Sequence, residues 1–534
     1  MPNRNIISLV LLLFPIVLFA QNNHPYTVDI QSIKIEGLPG IQSYAFAQAD
    51  GKWLIIGGRL DGLHSRQPNS SFPESQNNTS IYVIDIDQRK FWTTPLSPLS
   101  VGLQEQLQST NMNFVQDKDT LYIIGGYAYS ASKGDHTTFD KLTTISVSSL
   151  IDAVMNSQSI TPYFRQISDT AFAVTGGQLG KIDDTFYLVG GQKFDGRYNP
   201  MGHSTYRQEY THQIRNFKVD NAGSQLSFSG YGSTTDGVHL RRRDYNLTPQ
   251  IFPDGKHGYT IWSGVFQLNK DLPFLYPVDI QKNSYEGITT FNQYLSHYHS
   301  ATANMYDSAN NEMHTYFFGG LSEYFYENGS LKHDVNVPFV KTISRITRLG
   351  DGSLKEYHLP VSMPGLNGAG AEFIANRNLS SGFDGILSQD DFLQDTVVIG
   401  YIYGGISSTS RNPFINNQTS STAADASIYK VRLIKDISSD INEIEGKNPY
   451  GFTVLPNPIT NKINIEFYGP DNGSLSYFIS NEVGEIIRRG DLVNELGNRN
   501  KWSLVVDREW ASHTLVLTLI VDDRYYLSRK IIVQ

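Results

Sequence analysis

Cysteine is absent from all 534 residues. That excludes disulfides, thiolate metal sites, iron–sulfur clusters and a lipoprotein anchor. Charge is also scarce: Asp, Glu, Lys and Arg together make up 18% of the chain. Basic residues are outnumbered, 43 against 52, which leaves a formal net charge of −9. Binding to nucleic acid needs a basic surface that displaces counterions, so nucleic acid is not an expected partner. Methionine is down to 7, and the Ala, Glu and Lys content of a long-helix protein is missing. After the first twenty residues no apolar run is long enough to span a bilayer, which takes ~20 residues. The mature chain is therefore expected to carry no transmembrane segment.

What is abundant points elsewhere. Aromatics reach 12%, with Tyr 31 and Phe 28, and Gly is 45. Aromatic and glycine richness with few charges favours many short strands joined by many turns. With hydrophobic residues at 39%, a large core is possible without disulfides. At the start, Arg4 precedes the apolar stretch Ile6 to Phe19, and Ala20 supplies a small residue before Gln21. Residues 1–20 read as a secretory signal peptide, so the expected destination is secreted or cell surface, after export through the periplasm.

One phrase repeats, an apolar strand ending in Gly-Gly. It closes on Gly58, Gly126, Gly191, Gly320 and Gly405, with a degenerate copy ending Ser263-Gly264. The spacings are 68, 65, 73, 56 and 85 residues, room for four strands and generous loops per unit. Polar turns such as Asp50-Gly51 precede several copies, and alternating strands such as Ser80 to Asp85 follow. Gly-Gly permits positive φ and a close backbone approach. Val28 to Leu38 alternates before the first unit, and Ala426 to Ile434 follows the last with no fourth strand after it. The N-terminal strand can complete the last unit and remove exposed sheet edges.

The phrase resembles the kelch repeat, in which the di-glycine ends the second strand of a four-stranded blade. Tyr82 and Trp92 match the family's downstream aromatics, and His299-Ser300-Ala301 resembles its first-strand phrase. The resemblance implies an all-β fold, with residues 21–436 forming a six-bladed kelch-like β-propeller. A polar linker is expected over 437–450, and a small immunoglobulin-like β-sandwich over 451–534. The tail opens Val454-Leu-Pro-Asn-Pro458, turns at Gly484 and ends in a basic-aliphatic strand. It resembles the type A C-terminal sorting domain of the Bacteroidetes type IX secretion system, which implies that machinery as a partner.

Candidate chemistry is sparse. Without cysteine, the Cys–Tyr cofactor of galactose oxidase, another kelch-type protein, is excluded, and no cofactor is expected. His297 and His299 are two apart, so on a strand both imidazoles would face one side, as two ligands of a cation would. No third ligand accompanies them, and no metal is assigned. Arg241, Arg242 and Arg243, followed by Asp244 and Tyr245, form the sharpest charge cluster. Arg forks suit carboxylate or phosphate oxygens, so this cluster is the first choice for a ligand contact in the propeller funnel. Alternation would put Arg241 and Arg243 on one face and Arg242 with Asp244 on the other. Glu372, after the glycine-rich Gly365 to Gly370, is a candidate acid or base. The leading function is a binding module for a glycan or protein ligand. The alternative is a carbohydrate-active enzyme such as a sugar epimerase of the six-bladed kelch type.

Overall fold

The computed structural model describes residues 24–66, 70–200, 205–223, 225–379, 381–383, 385–435, 442–470, 474–493 and 500–534. The expected signal peptide lies outside them. The fold is all-β, built from many small antiparallel sheets. Six of these share one plan, four strands hydrogen-bonded in sequence order. The first runs Ala45–Ala49, Lys52–Ile56, Ser80–Asp85 and Lys90–Pro95. The next four begin at Asn113, Gln178, Asn246 and Ala301. In the sixth, Leu366–Ala375, Thr396–Ser408 and Ile428–Lys435 are followed by the chain's own Tyr26–Ile33. That strand pairs antiparallel with the third, Val28 opposite Leu433 and Ile30 opposite Val431. The pairing covers an edge that would otherwise be open for association.

The di-glycines explain how the sheets adhere. All six pairs, including Ser263-Gly264, lie at positive φ between 52° and 94°. The amide of each second glycine donates to a carbonyl of the next sheet's approach. Gly58 bonds Ser109, Gly126 bonds Val174, Gly191 bonds Arg242, Gly264 bonds His297 and Gly320 bonds Asn367. Gly405 then bonds Ile41, which returns to the first sheet. The first glycines pack on the same junctions. A Cβ on Gly125 would sit 1.8 Å from the Val174 carbonyl oxygen, and one on Gly404 would sit 2.2 Å from that of Ile41.

A second closed circuit lies one turn inward. The amides of Asn111, Gly176, Asp244, His299, Gly370 and Ser43 donate in turn to the carbonyls of Ser43, Asn111, Gly176, Asp244, His299 and Gly370, at 2.8–3.1 Å. Each of these residues stands just before or within the first strand of its sheet. Five of the six have φ between 51° and 67°, and they are Ser, Asn, Gly, Asp and Gly, types that tolerate that region well.

The tail departs from expectation. Two sheets, Gly451–Leu455 with Lys462–Tyr468 and Lys501–Val505, and Ile486–Asp491 with Leu475–Ser480, Thr514–Val521 and Tyr525–Ile532, enclose their own core. They are not held off by a free linker over 437–450. Asn442–Ile444 adds to the fifth sheet beside Glu356–His358. The Asn448 side-chain amide donates to the Thr289 carbonyl at 3.0 Å. Phe478, Ile520 and Tyr526 share one core cluster with Phe274 and Tyr276 of the fourth sheet's loop. Arg524, nearly fully buried, pairs with Glu323 at 2.5 Å and donates to the Pro273 carbonyl at 2.6 Å. Breaking a buried pair from one side costs ~3–5 kcal/mol, so the tail is part of the fold. Polar composition alone suggested a linker because an added edge strand and an asparagine cap are also polar.

Gly125 and Gly134 give a clean test of the junction. Both have φ near +70°, at 68° and 70°, but nothing lies within 4 Å of a Cβ on Gly134. Gly134→Ala should cost only the left-handed strain of ~1–2 kcal/mol. Gly125→Ala should cost ~2 kcal/mol or more beyond that, because the Val174 carbonyl must move. Equal losses of stability in urea unfolding would refute the junction's role.

Candidate functional site: an axial cavity

Each first strand shows alternate side chains to the space between the six sheets, as the two-residue period of a strand requires. Counting three residues from each member of the inner circuit gives Phe46, Phe114, Leu179, Leu247, Thr302 and Phe373. Together these form a mostly apolar girdle around a cavity of ≈ 230 Å³. Two residues further on, Gln48, Gln116, Pro249 and Ala375 line the same cavity nearer its mouth. At the other end the cavity meets His299, Glu372, Gln178 and Asn246. Beyond them, a chamber of ≈ 20 Å³ reaches Asp244, Asn111 and the circuit itself. That chamber is about the size of one water.

His299 and Glu372 are the chemically distinctive pair, with His299 Nε2 3.3 Å from Glu372 Oε1. Burial disfavours charge on both. It lowers the His299 pKa to about 4, against the opposing pull of the Asp244 carboxylate. It also raises Glu372 well above the usual carboxylate range. Burial thus keeps the imidazole uncharged at neutral pH and shifts the carboxyl toward its protonated form, an acid–base pair at the inner end of the cavity.

The arginine cluster has another role. Arg242 is fully buried, donating from Nε to the His239 carbonyl and from Nη1 to those of Ser263 and Tyr276, with Phe274 and Tyr276 against its plane. It holds the fourth sheet's loop and cannot meet a ligand. Tyr245 is likewise core, its hydroxyl donating to the Val189 carbonyl at 2.6 Å. Arg243 pairs with Asp244 and donates to the Tyr210 hydroxyl. Arg241 and Arg243 share the Tyr210 side and Arg242 the other, as alternation required, and only Asp244 leaves its expected face. Asp244 has φ of 51°, which turns it out of strand alternation. Arg241 stacks on Tyr210 at 4.0 Å and donates to the Phe266 and Gln267 carbonyls. Three arginines expected to hold an anion are thus engaged by carbonyls, rings and one acid.

The two histidines do not converge. His297 is fully buried, accepts the Glu323 amide at Nδ1 and lies 3.0 Å through Nε2 from the Gln293 carbonyl. The segment is a loop with Ser296 at φ 58°, so strand alternation does not apply. Among the described residues no group of three or more His, Asp or Glu could hold a metal ion. Of the sequence candidates, His299, Glu372 and Asp244 come together. The girdle and the glutamines went unnoticed, although their register could be read from the strand preceding each Gly-Gly.

No family model matches the chain, and no curated protein matches it. Among solved structures 138 chains match. One, titled "Structure of YjhT", is 11% identical with a TM-score of 0.42, covering 76% of this chain and 97% of that one.

The axial histidine and its buried relatives set the pH response. His64 and His299 are both lowered to about 4 and His297 to about 3, chiefly by burial. The folded state refuses protons that the unfolded chain accepts below its own value near 6.5. The histidine contribution to stability should be whole above pH 6.5 and fall as pH drops toward 4, at up to ~1.4 kcal/mol per pH unit per histidine. Glu356, raised to about 8, and Glu372 act in the opposite sense, so each histidine is read from the difference between wild type and variant. Melting temperatures between pH 7 and 4.5 check this. His64→Asn or His299→Asn should flatten the slope, and an unchanged slope in both would contradict it.

Proposed function

We propose that the six sheets are the blades of a six-bladed kelch-type propeller, and that the protein binds a neutral glycan in its axial cavity. The two closed circuits of inter-sheet hydrogen bonds support the blade count. The observation that carries the ligand class is the lining. Phe46, Phe114 and Phe373 supply aromatic carbon for the apolar side of a sugar, while the Gln178 amide and the Glu372 carboxyl supply partners for hydroxyls. The three arginines that suggested an anion are engaged by protein groups, which favours a neutral ligand.

A glycan array followed by calorimetry with the full-length protein tests this. Glu372→Gln exchanges a donor and acceptor for an amide with altered geometry and should weaken binding about threefold to tenfold. Arg241→Ala should leave affinity unchanged. Absence of any glycan ligand, or equal loss in both variants, would sink the reading.

A second reading is favoured by the same pair. A carboxyl that burial shifts toward its protonated form, 3.3 Å from a neutral imidazole, suits proton transfer, as a sugar epimerase requires. Turnover of a bound sugar that Glu372→Gln abolishes without loss of binding would decide for it.

We also propose that the chain is exported and that its C-terminal module is an immunoglobulin-like, type A sorting domain read by the type IX machinery. The Pro-Asn-Pro opening and the basic-aliphatic last strand, Tyr525–Ile532, support this. Residues 442–534 joined to an inert exported reporter should carry it to the cell surface of a host with that machinery. A reporter left in the periplasm would refute the assignment.

A further inference from the structure

The connection between the first two strands of the sixth sheet does not stay at the periphery. Its residues Arg377 and Gly385 to Leu387 line the cavity, and its described residues touch four other sheets. Arg377 donates from Nη1 to the Gln48 carbonyl at 2.9 Å and from Nη2 to the Gln116 side-chain oxygen at 2.8 Å, so it reaches the first and second sheets. Gln116 in turn clips the Gln48 backbone, accepting its amide at 2.8 Å and donating to its carbonyl at 2.9 Å. On the far side, Phe383 lies 4.3 Å from the His257 ring of the fourth sheet. Ile386–Ser388 then pairs in parallel with Asn304–Tyr306 on the inner edge of the fifth. Among the described residues, the third sheet is the one without such a contact to this strap.

We propose that this strap is a size filter and that Arg377 is its gatekeeper, so that the cavity admits the terminal ring of a saccharide chain and excludes its middle. The sugar part rests on the glycan reading above; the filter does not. Three observations carry it. The cavity, ≈ 230 Å³, falls below the ~300–1,000 Å³ of pockets that take drug-sized ligands. Its inner end is closed by the backbone circuit, so a chain cannot thread through. Its outer end is flanked by Arg377 on one side and Gly385 to Leu387 on the other, each fixed to a neighbouring sheet. Arg377 is exposed, so water competes for its hydrogen bonds to Gln48 and Gln116, and this is the looser side. Ile386–Ser388, held by a β-ladder, is the fixed side.

The absence of cysteine allows a direct measurement on the full chain. Thr302→Cys places a single thiol on the girdle, behind the strap, and Leu247→Cys provides a second reporter should the first unfold. Ser353→Cys, on an exposed turn, is the control. A small maleimide and a bulky dye-maleimide are compared. Relative to the control, the bulky reagent should react at least about tenfold more slowly than the small one behind an intact strap. Arg377→Ala should bring that ratio to within about twofold, and Arg377→Lys, which loses the two-pronged contact, should fall between. Equal reactivity toward both reagents with Arg377 in place, or no change in Arg377→Ala, overturns the filter. The same array then separates the two ideas. A sugar bound in linear but not in cyclic form supports end recognition, and equal binding of both forms overturns it. A size-selective thiol with no glycan bound anywhere sinks the sugar part and leaves the filter standing.

Discussion

Everything in this molecule depends on backbone meeting backbone where one sheet joins the next. A sheet's inner strand and its neighbour can share an amide–carbonyl hydrogen bond only if nothing projects between them. In five of the six pairs the first glycine removes the Cβ that would strike the next sheet's carbonyl, Ser263 standing there in the sixth, and in all six the second glycine presents its amide to that sheet. Both need positive φ, which glycine adopts without the cost borne by other residues. Because the circuit returns from Gly405 to Ile41, no sheet is terminal. The pairing of Tyr26–Ile33 with Ile428–Lys435 closes the same structure through strand hydrogen bonds.

Closure also dictates the electrostatics. Charge at the axis would be far from water, and the chain avoids it in two ways. Burial shifts Glu372 and His299 toward their uncharged forms, and Asp244 compensates Arg243. Arg242 is left as a buried cation and is met by three carbonyls and two aromatic faces rather than by an acid. The guanidinium therefore serves as a rigid multi-pronged donor that ties loop to strand.

The sequence made some of this readable and hid the rest for physical reasons. The di-glycines and the alternating N-terminal strand were legible because each is local, a backbone requirement written in residue type. The inner circuit was written as locally, in Ser43, Asn111, Gly176, Asp244 and Gly370, but residues that share only a tolerance for positive φ form no obvious motif. The arginine run misled because a burst of charge looks solvent-facing, whereas packing against Phe274 and Tyr276 is a long-range property. His297 and His299 misled because they lie in a loop that bends at Tyr298, between them, where no two-residue period holds. Docking of the tail was invisible for the same reason: Arg524 and Glu323 are about two hundred residues apart, and nothing near either one announces the other.

One feature of the axis runs against the economy of the rest. The junctions and outer strands satisfy local propensity, packing and hydrogen bonding together, as a sequence that specifies one fold should. At the axis the chain instead buries an imidazole and a carboxyl, each at the cost of its preferred charge state, beside a cavity that packing could have filled. Leucine or phenylalanine at 299 and 372 would extend the girdle and avoid that cost. Local rules are broken in natural proteins mainly where function holds them broken. On the proposed reading, the cavity, rather than the arginine-bearing face, is where the stability of this fold is traded for recognition.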